Sequence, residues 1–365
     1  MRPTLIDRRD FVRGAGLAFL ATLAPSRLRA ATSTDAVYAT AFQKRSGEYG
    51  VAILSEAGAL IHAEALPERG HDSCFDPVSR RTVVFARQPG TFALVFDHAN
   101  RNPPLTITSI PGRHFYGHGL FSPDGALLYA TENDYDNAAG MIGIYDARDG
   151  FVRLGEFPTH GVGPHEMLLL GDGVTFAVAN GGIETHPDFG RAKLNIPTMQ
   201  PSLVFLDRDG GRLQGKYQLT QDLHQLSIRH MDEDASGAIW FGCQHEGDAG
   251  EQPPLIGRAR PGADMLLTEL PPPVLAGFRN YIGSVAANRT AGTVAFSSPQ
   301  GNRLAILDAA TGIVVSATDM REVCGVAPDG EGFMATSGDG TIALPGGLAV
   351  EMPELVFDNH ILRIG

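Results

Sequence analysis

After residue 30 the apolar positions of the chain come in short runs of five or six residues, broken by polar stretches rich in Gly and Pro. No helical spacing of apolar residues is sustained across this region. The runs that recur are 81–86 (RTVVFA), 126–131 (ALLYAT), 174–179 (VTFAVA), 238–242 (AIWFG) and 292–297 (GTVAFS). Their β-branched and aromatic content suits half-buried or buried strands. Most are followed by a polar loop and a second run that closes on Asp: 92–97, 142–146, 203–207 and 304–308. Tight turns such as Ser122-Pro123-Asp124-Gly125 and Ala327-Pro328-Asp329-Gly330 punctuate the repeat, with Pro and Gly where such turns need them. Many short strands at this spacing predict an all-β fold, and a period in the forties predicts four-stranded propeller blades.

Aligning the turns places innermost strands near residues 71, 118, 165, 230, 283, 324 and 360, which is seven blades. The first two intervals are both 47 residues, and the third is 65, so the third blade carries an insertion that includes residues 184–200 and lies over one face. The start at His360 has only one strand's worth of chain after it. Runs at 37–41, 49–54 and 59–63 supply the missing three strands. The predicted fold is therefore a seven-bladed β-propeller closed by strands from both termini, which leaves no open sheet edge. A jelly roll or a pair of sandwiches does not account for the even period.

Residues 1–30 read differently. Arg8-Arg9-Asp10-Phe11-Val12, an apolar run from Gly14 to Ala24 and Leu28-Arg29-Ala30 make a charged region, a hydrophobic region and a small-residue cleavage site. The paired arginines resemble a twin-arginine export signal, with Asp7 where Ser or Thr is more usual. The apolar run is too short for a membrane span, so the expectation is a periplasmic protein with one propeller domain over residues 31–365. The whole chain carries a net charge of −12; its first thirty residues hold six arginines and two aspartates, so the mature chain carries −16. That acidity argues against nucleic acid and anionic lipid as partners. A monomer without membrane insertion is expected. Three cysteines, Cys74, Cys243 and Cys324, do not make a disulfide framework.

The chemistry lies in the histidines. Only 12 of 365 residues are His, yet five of the seven predicted innermost strands begin with one: His71, His118, His165, His230 and His360. Innermost strands line the channel, so equivalent positions form a ring at one depth, where imidazoles can converge on one ion. Imidazole is the commonest transition-metal ligand at neutral pH, and an all-imidazole set suits zinc, copper, iron or nickel rather than magnesium or calcium. Asp72 and Glu166 adjoin two ring members and are candidate acceptors for their second nitrogens, although strand neighbours ordinarily point to opposite faces. Met167 and Met231 nearby keep copper in view. Glu132, Asn133, Asn180 and His245 are expected to border the same opening, and Arg87, Arg113, Arg229, Arg279 and Arg321 to lie near blade openings, where they could bind a carboxylate-bearing ligand. No phosphate-cradling loop, nucleophile elbow or haem-attachment motif occurs in the sequence.

The export signal, the starts Gly70-His71-Asp72, Gly117-His118-Gly119 and Pro164-His165-Glu166, the turn Phe121-Ser-Pro-Asp-Gly125 and the segment Tyr129-Ala-Thr-Glu-Asn-Asp134 together resemble an uncharacterised bacterial family of twin-arginine-exported seven-bladed propellers. The resemblance spans essentially the whole mature chain. Members are commonly encoded beside imelysin-like periplasmic iron-uptake proteins and a di-haem oxidoreductase-like protein. This implies iron handling in the periplasm, with iron as the first metal and copper the next, and other periplasmic iron-uptake proteins as partners. The turns also resemble surface-layer and quinoprotein-type propeller repeats, which range from lactonases to dehydrogenases. The competing expectation is thus an enzyme on a small organic substrate, a hydrolase, lyase or oxidoreductase, using channel histidines as acid and base.

Overall fold

The computed structural model describes residues 37–99 and 102–365; the expected signal segment, residues 1–30, lies outside them. Among the described residues the strands form seven antiparallel sheets. The innermost strands of the first six are Gly70–Asp76, Arg113–Phe121, Pro164–Leu169, Leu226–Glu233, Ser284–Asn288 and Val323–Asp329. Each of these six sheets runs outward through four strands, as in Gly70–Asp76, Arg81–Ala86, Phe92–Phe96 and Leu105–Thr108. The seventh joins the two ends of the described chain. Val37–Lys44 pairs on one side with Tyr49–Ser55, and on the other with Leu355–Phe357 and Leu362–Arg363. Neighbouring innermost strands touch all the way round, from Gly70–Asp76 through Val323–Asp329 to Leu362–Arg363 and back. The chain is a seven-bladed β-propeller.

Local chemistry accounts for the punctuation. Asp97, Asp146, Asp207 and Asp308, which close the third strands, each accept a backbone N–H two or three residues on, so the side chain builds the turn that the strand needs to reverse. Between blades, interleaved apolar side chains form the cores: Trp240, Phe241 and Phe296 are fully buried in one, and Phe85 and Phe115 in another. Met167 and Met231 belong to these cores. Both side chains are buried there. The insertion after Asn180 makes two short 3-10 turns, Pro187–Phe189 and Ile196–Thr198, and packs over one channel mouth.

Candidate metal centre

Four of the innermost strands break register at their histidine. The ladder is irregular between Gly70 and Ser73, Phe115 and Gly119, Pro164 and Glu166, and Ile228 and His230. His360 sits in the gap between Leu355–Phe357 and Leu362–Arg363. A β-bulge adds unpaired residues and re-aims side chains; His71, His118 and His165 are themselves unpaired at these breaks, whereas His230 pairs with Gly242 and follows the unpaired Arg229. The bulge also moves one boundary: the second blade's inner strand begins at Arg113, five residues before the predicted start, because pairing continues on both sides of the break.

Gly117 makes one of these bulges possible. Its φ is +104°, and a Cβ there would stand 2.6 Å from Cδ2 of His71. Gly117→Ala is therefore expected to strain the turn and displace His71, costing about 1–3 kcal/mol of stability and about tenfold in metal affinity. Thermal melts and a metal-competition titration measure the two effects separately.

The five imidazoles close into a ring. Centroid separations are 5.0 Å from His71 to His118, 5.0 Å from His118 to His165, 4.6 Å from His165 to His230, 4.8 Å from His230 to His360 and 4.7 Å from His360 back to His71. All five side chains are buried. Ligand nitrogens of His71, His118 and His165 lie within 4.8 Å of one another, as do those of His118, His230 and His360. His118 belongs to both triads. Ligands at about 2.1 Å from an ion span about 4.2 Å when opposite, so a small contraction brings either triad into coordination distance.

Carboxylates lie against three of the Nδ1 atoms, and each comes from the neighbouring blade. Asp72, one residue after His71, lies 3.1 Å from Nδ1 of His118. Glu166, one residue after His165, lies 3.3 Å from Nδ1 of His230 without hydrogen-bond alignment, and accepts the backbone N–H of Met231. Asp358, two residues before His360, lies 3.0 Å from Nδ1 of His71 and also accepts from Arg69 and Arg87. Gly119 occupies the corresponding place after His118, and Nδ1 of His165 has no partner. A proton on Nδ1, facing a carboxylate, leaves Nε2 with its lone pair. Nε2 of His118, His230 and His360 are buried with no hydrogen-bond partner. Leaving such atoms unsatisfied costs about 1–3 kcal/mol each, a cost that coordination removes.

Burial also keeps His71, His165, His230 and His360 neutral, as ligands must be. It pushes His71 down to about 4, against the raising effect of Asp358. It holds His165, His230 and His360 well below the usual imidazole range, with neighbouring histidines and Arg229 or Arg87 adding to the shift. Asp358 lies well below the usual carboxylate range: burial opposes this, but His71, Arg87 and Arg69 outweigh it. Blades five and six contribute no imidazole. Cys324, in the sixth, turns its thiol onto the carbonyls of Glu322 and Phe357, and burial raises it to about 12. It stands outside the donor set.

Other expected neighbours lie elsewhere. Glu132 is fully buried between strands, accepting from Tyr145 and Arg153. Asn133 donates to the Thr185 carbonyl, Asn180 pairs with Thr159, and His245 faces Glu251 in an adjoining pocket. Of the five arginines, Arg87 and Arg229 line the mouth above the ring. Arg113 is tied to Glu156 and Asp134, Arg321 pairs with Glu322, and Arg279 lines the adjoining pocket. Asp358 is the member that sequence reasoning missed; its only signal was an acidic residue two places before a ring histidine.

The site defines a class: a seven-bladed propeller whose channel holds five buried histidines able to take a metal ion. Within that class, the chain belongs to the family described as "Protein of unknown function (DUF1513)", whose profile matches residues 64–364. No curated protein sequence matches the chain. Among solved structures it is similar to hydrazine synthase of Kuenenia stuttgartiensis, at 14% identity and a TM-score of 0.60, over 84% of this chain and 90% of that one. It is also similar to the β-propeller domain of Myceliophteria thermophila Cps50 (Swd1), at 12% identity and a TM-score of 0.57, over 82% and 93%. At such identities the likeness concerns the fold.

Proposed function

We propose that this chain is a periplasmic metal-binding propeller that serves in iron handling, with His71, His118, His165, His230 and His360 as the ligand set of one transition-metal ion. The observation that carries the reading is the convergence of five buried imidazoles in which Nε2 of His118, His230 and His360 lack any hydrogen bond, while carboxylates of the next blade hold Nδ1 of His71 and His118. Such carboxylate–histidine pairs orient ligands and raise their basicity. The all-imidazole donor set suits iron or copper, and the resemblance to exported propellers encoded beside iron-uptake proteins favours iron, with copper next. An iron ion in the ring would supply reversible coordination or a change of redox state. The reading includes export of the monomer through the twin-arginine route and work beside other periplasmic iron-uptake proteins.

Mass-spectrometric metal analysis of protein purified from the periplasm tests this. Near-stoichiometric iron is the expected result. Protein that arrives metal-free and takes up none of added iron, copper or zinc would sink the proposal. A second reading, catalysis on a small organic substrate, gains from the pocket that opens onto His71 and His165; turnover that survives chelation would favour it.

A further inference from the structure

The two ends of the channel differ in charge. The lower mouth carries Asp72, Glu166 and Asp232, with Arg363 as its one cation, among largely apolar side chains. The upper mouth is a cavity of about 240 Å³ whose lining includes Arg87, Arg191, Lys193 and Arg229, with no carboxylate in the lining among the described residues. Two carboxylates behind the wall offset part of this charge: Asp358 is shared by Arg69 and Arg87, and Glu246 by Lys193 and Arg229. That sets five cations against two anions in a chain of net charge −12.

Arg191 is the telling residue. It comes from the insertion, and among the described residues it makes no hydrogen bond or ion pair. Loss of surrounding water, then Arg87, Arg69 and Arg229, push it below the ordinary arginine value. Bringing like charges together without a partner is unfavourable, and an anionic ligand reverses the sign.

We propose that the upper mouth is a binding site for a small organic polycarboxylate. The lining cations come from the first blade (Arg87), the fourth (Arg229) and the insertion (Arg191 and Lys193), so they surround the cavity rather than converging on one tetrahedral oxyanion. Guanidinium groups bind carboxylates as planar forks. Tyr281, Gln244 and Gln300 add neutral polar groups to the wall, fit for hydroxyl and carboxyl oxygens. At about 30 Å³ per water the cavity holds about eight waters, room for a compact acid with two or three carboxylates. His71 and His165 also line it; on the metal-centre reading above, a carboxylate of the bound acid stands next to the ion.

Calorimetric titration of citrate into chelator-treated protein at low salt tests the site without any metal. We expect one citrate per chain with a dissociation constant below about 1 mM, and acetate or inorganic phosphate at least about tenfold weaker. Arg191→Gln/Arg229→Gln should weaken citrate by about tenfold or more, while Arg191→Gln alone does not lower the melting temperature, because the side chain has no partner to lose and its removal relieves like-charge repulsion. His118→Ala/His230→Ala, which removes ring members away from the cavity lining, should bind citrate like the parent, so failure of the metal reading leaves this site standing. No heat at millimolar citrate, equal binding by the arginine double variant, or phosphate binding as tightly as citrate would each overturn the assignment.

Discussion

His118→Ala should lower metal affinity about 1000-fold or more, close to 4 kcal/mol at 1.4 kcal/mol per tenfold, and more than any other single substitution in the ring. The reason is its place in both triads: with His71 and His165 on one side, and with His230 and His360 on the other. His71→Ala strips one triad and leaves the second complete, and His230→Ala does the converse. Their losses should be smaller. Asp72→Asn, which leaves the imidazole but weakens the acceptor on its Nδ1, should cost about 10–100-fold. Competition against a chelator of known affinity gives the four values, and a thermal melt shows that each variant is folded. If His118→Ala costs no more than His71→Ala, the shared-ligand geometry is not what holds the ion.

Glu132→Ala should be the most destabilising of the conservative-looking changes away from the ring, by about 3 kcal/mol. Its carboxylate is fully buried, accepting Tyr145 Oη–H at 2.5 Å and Arg153 at 2.8 Å. Gly143 lies opposite because a Cβ there would come within 1.9 Å of Oε1. Truncation leaves the tyrosine hydroxyl without an acceptor and Arg153 with only Glu156. With about 2.1 cal/mol/K of unfolding entropy per residue, that loss lowers the melting temperature by about 4 °C. Tyr145→Phe removes one hydrogen bond and should cost about 1 kcal/mol. A Glu132→Ala melt within a degree of the parent would mean that water enters and solvates the vacated pocket.

The fold and the histidines were legible in the sequence because both follow from a repeat. The 47-residue spacing of His71, His118 and His165 set the blade register, and a histidine recurring at one phase of a propeller repeat has to face the channel at one depth. What stayed hidden depends on contacts between blades. Strand alternation argued against Asp72 and Glu166 serving the ring; the bulges beside four of the histidines break that alternation, and nothing in a local pattern announces them. Asp358 reaches His71 across the closing seam, 287 positions away in the chain. The cations of the upper mouth were half visible: Arg87 and Arg229 stand at blade openings, whereas Arg191 and Lys193 lie in an insertion whose path no period predicts. Glu132, an acidic residue at the end of a second strand, reads like a channel residue until Tyr145 and Arg153 show which way it points.

The seam in the seventh sheet has a consequence for the order of events during biosynthesis. A nascent chain completed to residue 350 already holds four of the five imidazoles, yet it lacks Asp358, His360 and the inner strand that locks the first blade against the sixth. Until Leu355–Phe357 and Leu362–Arg363 dock beside Val37–Lys44, the ring is an open arc and His71 has no carboxylate behind it. The full donor set is thus assembled only once that seam has closed.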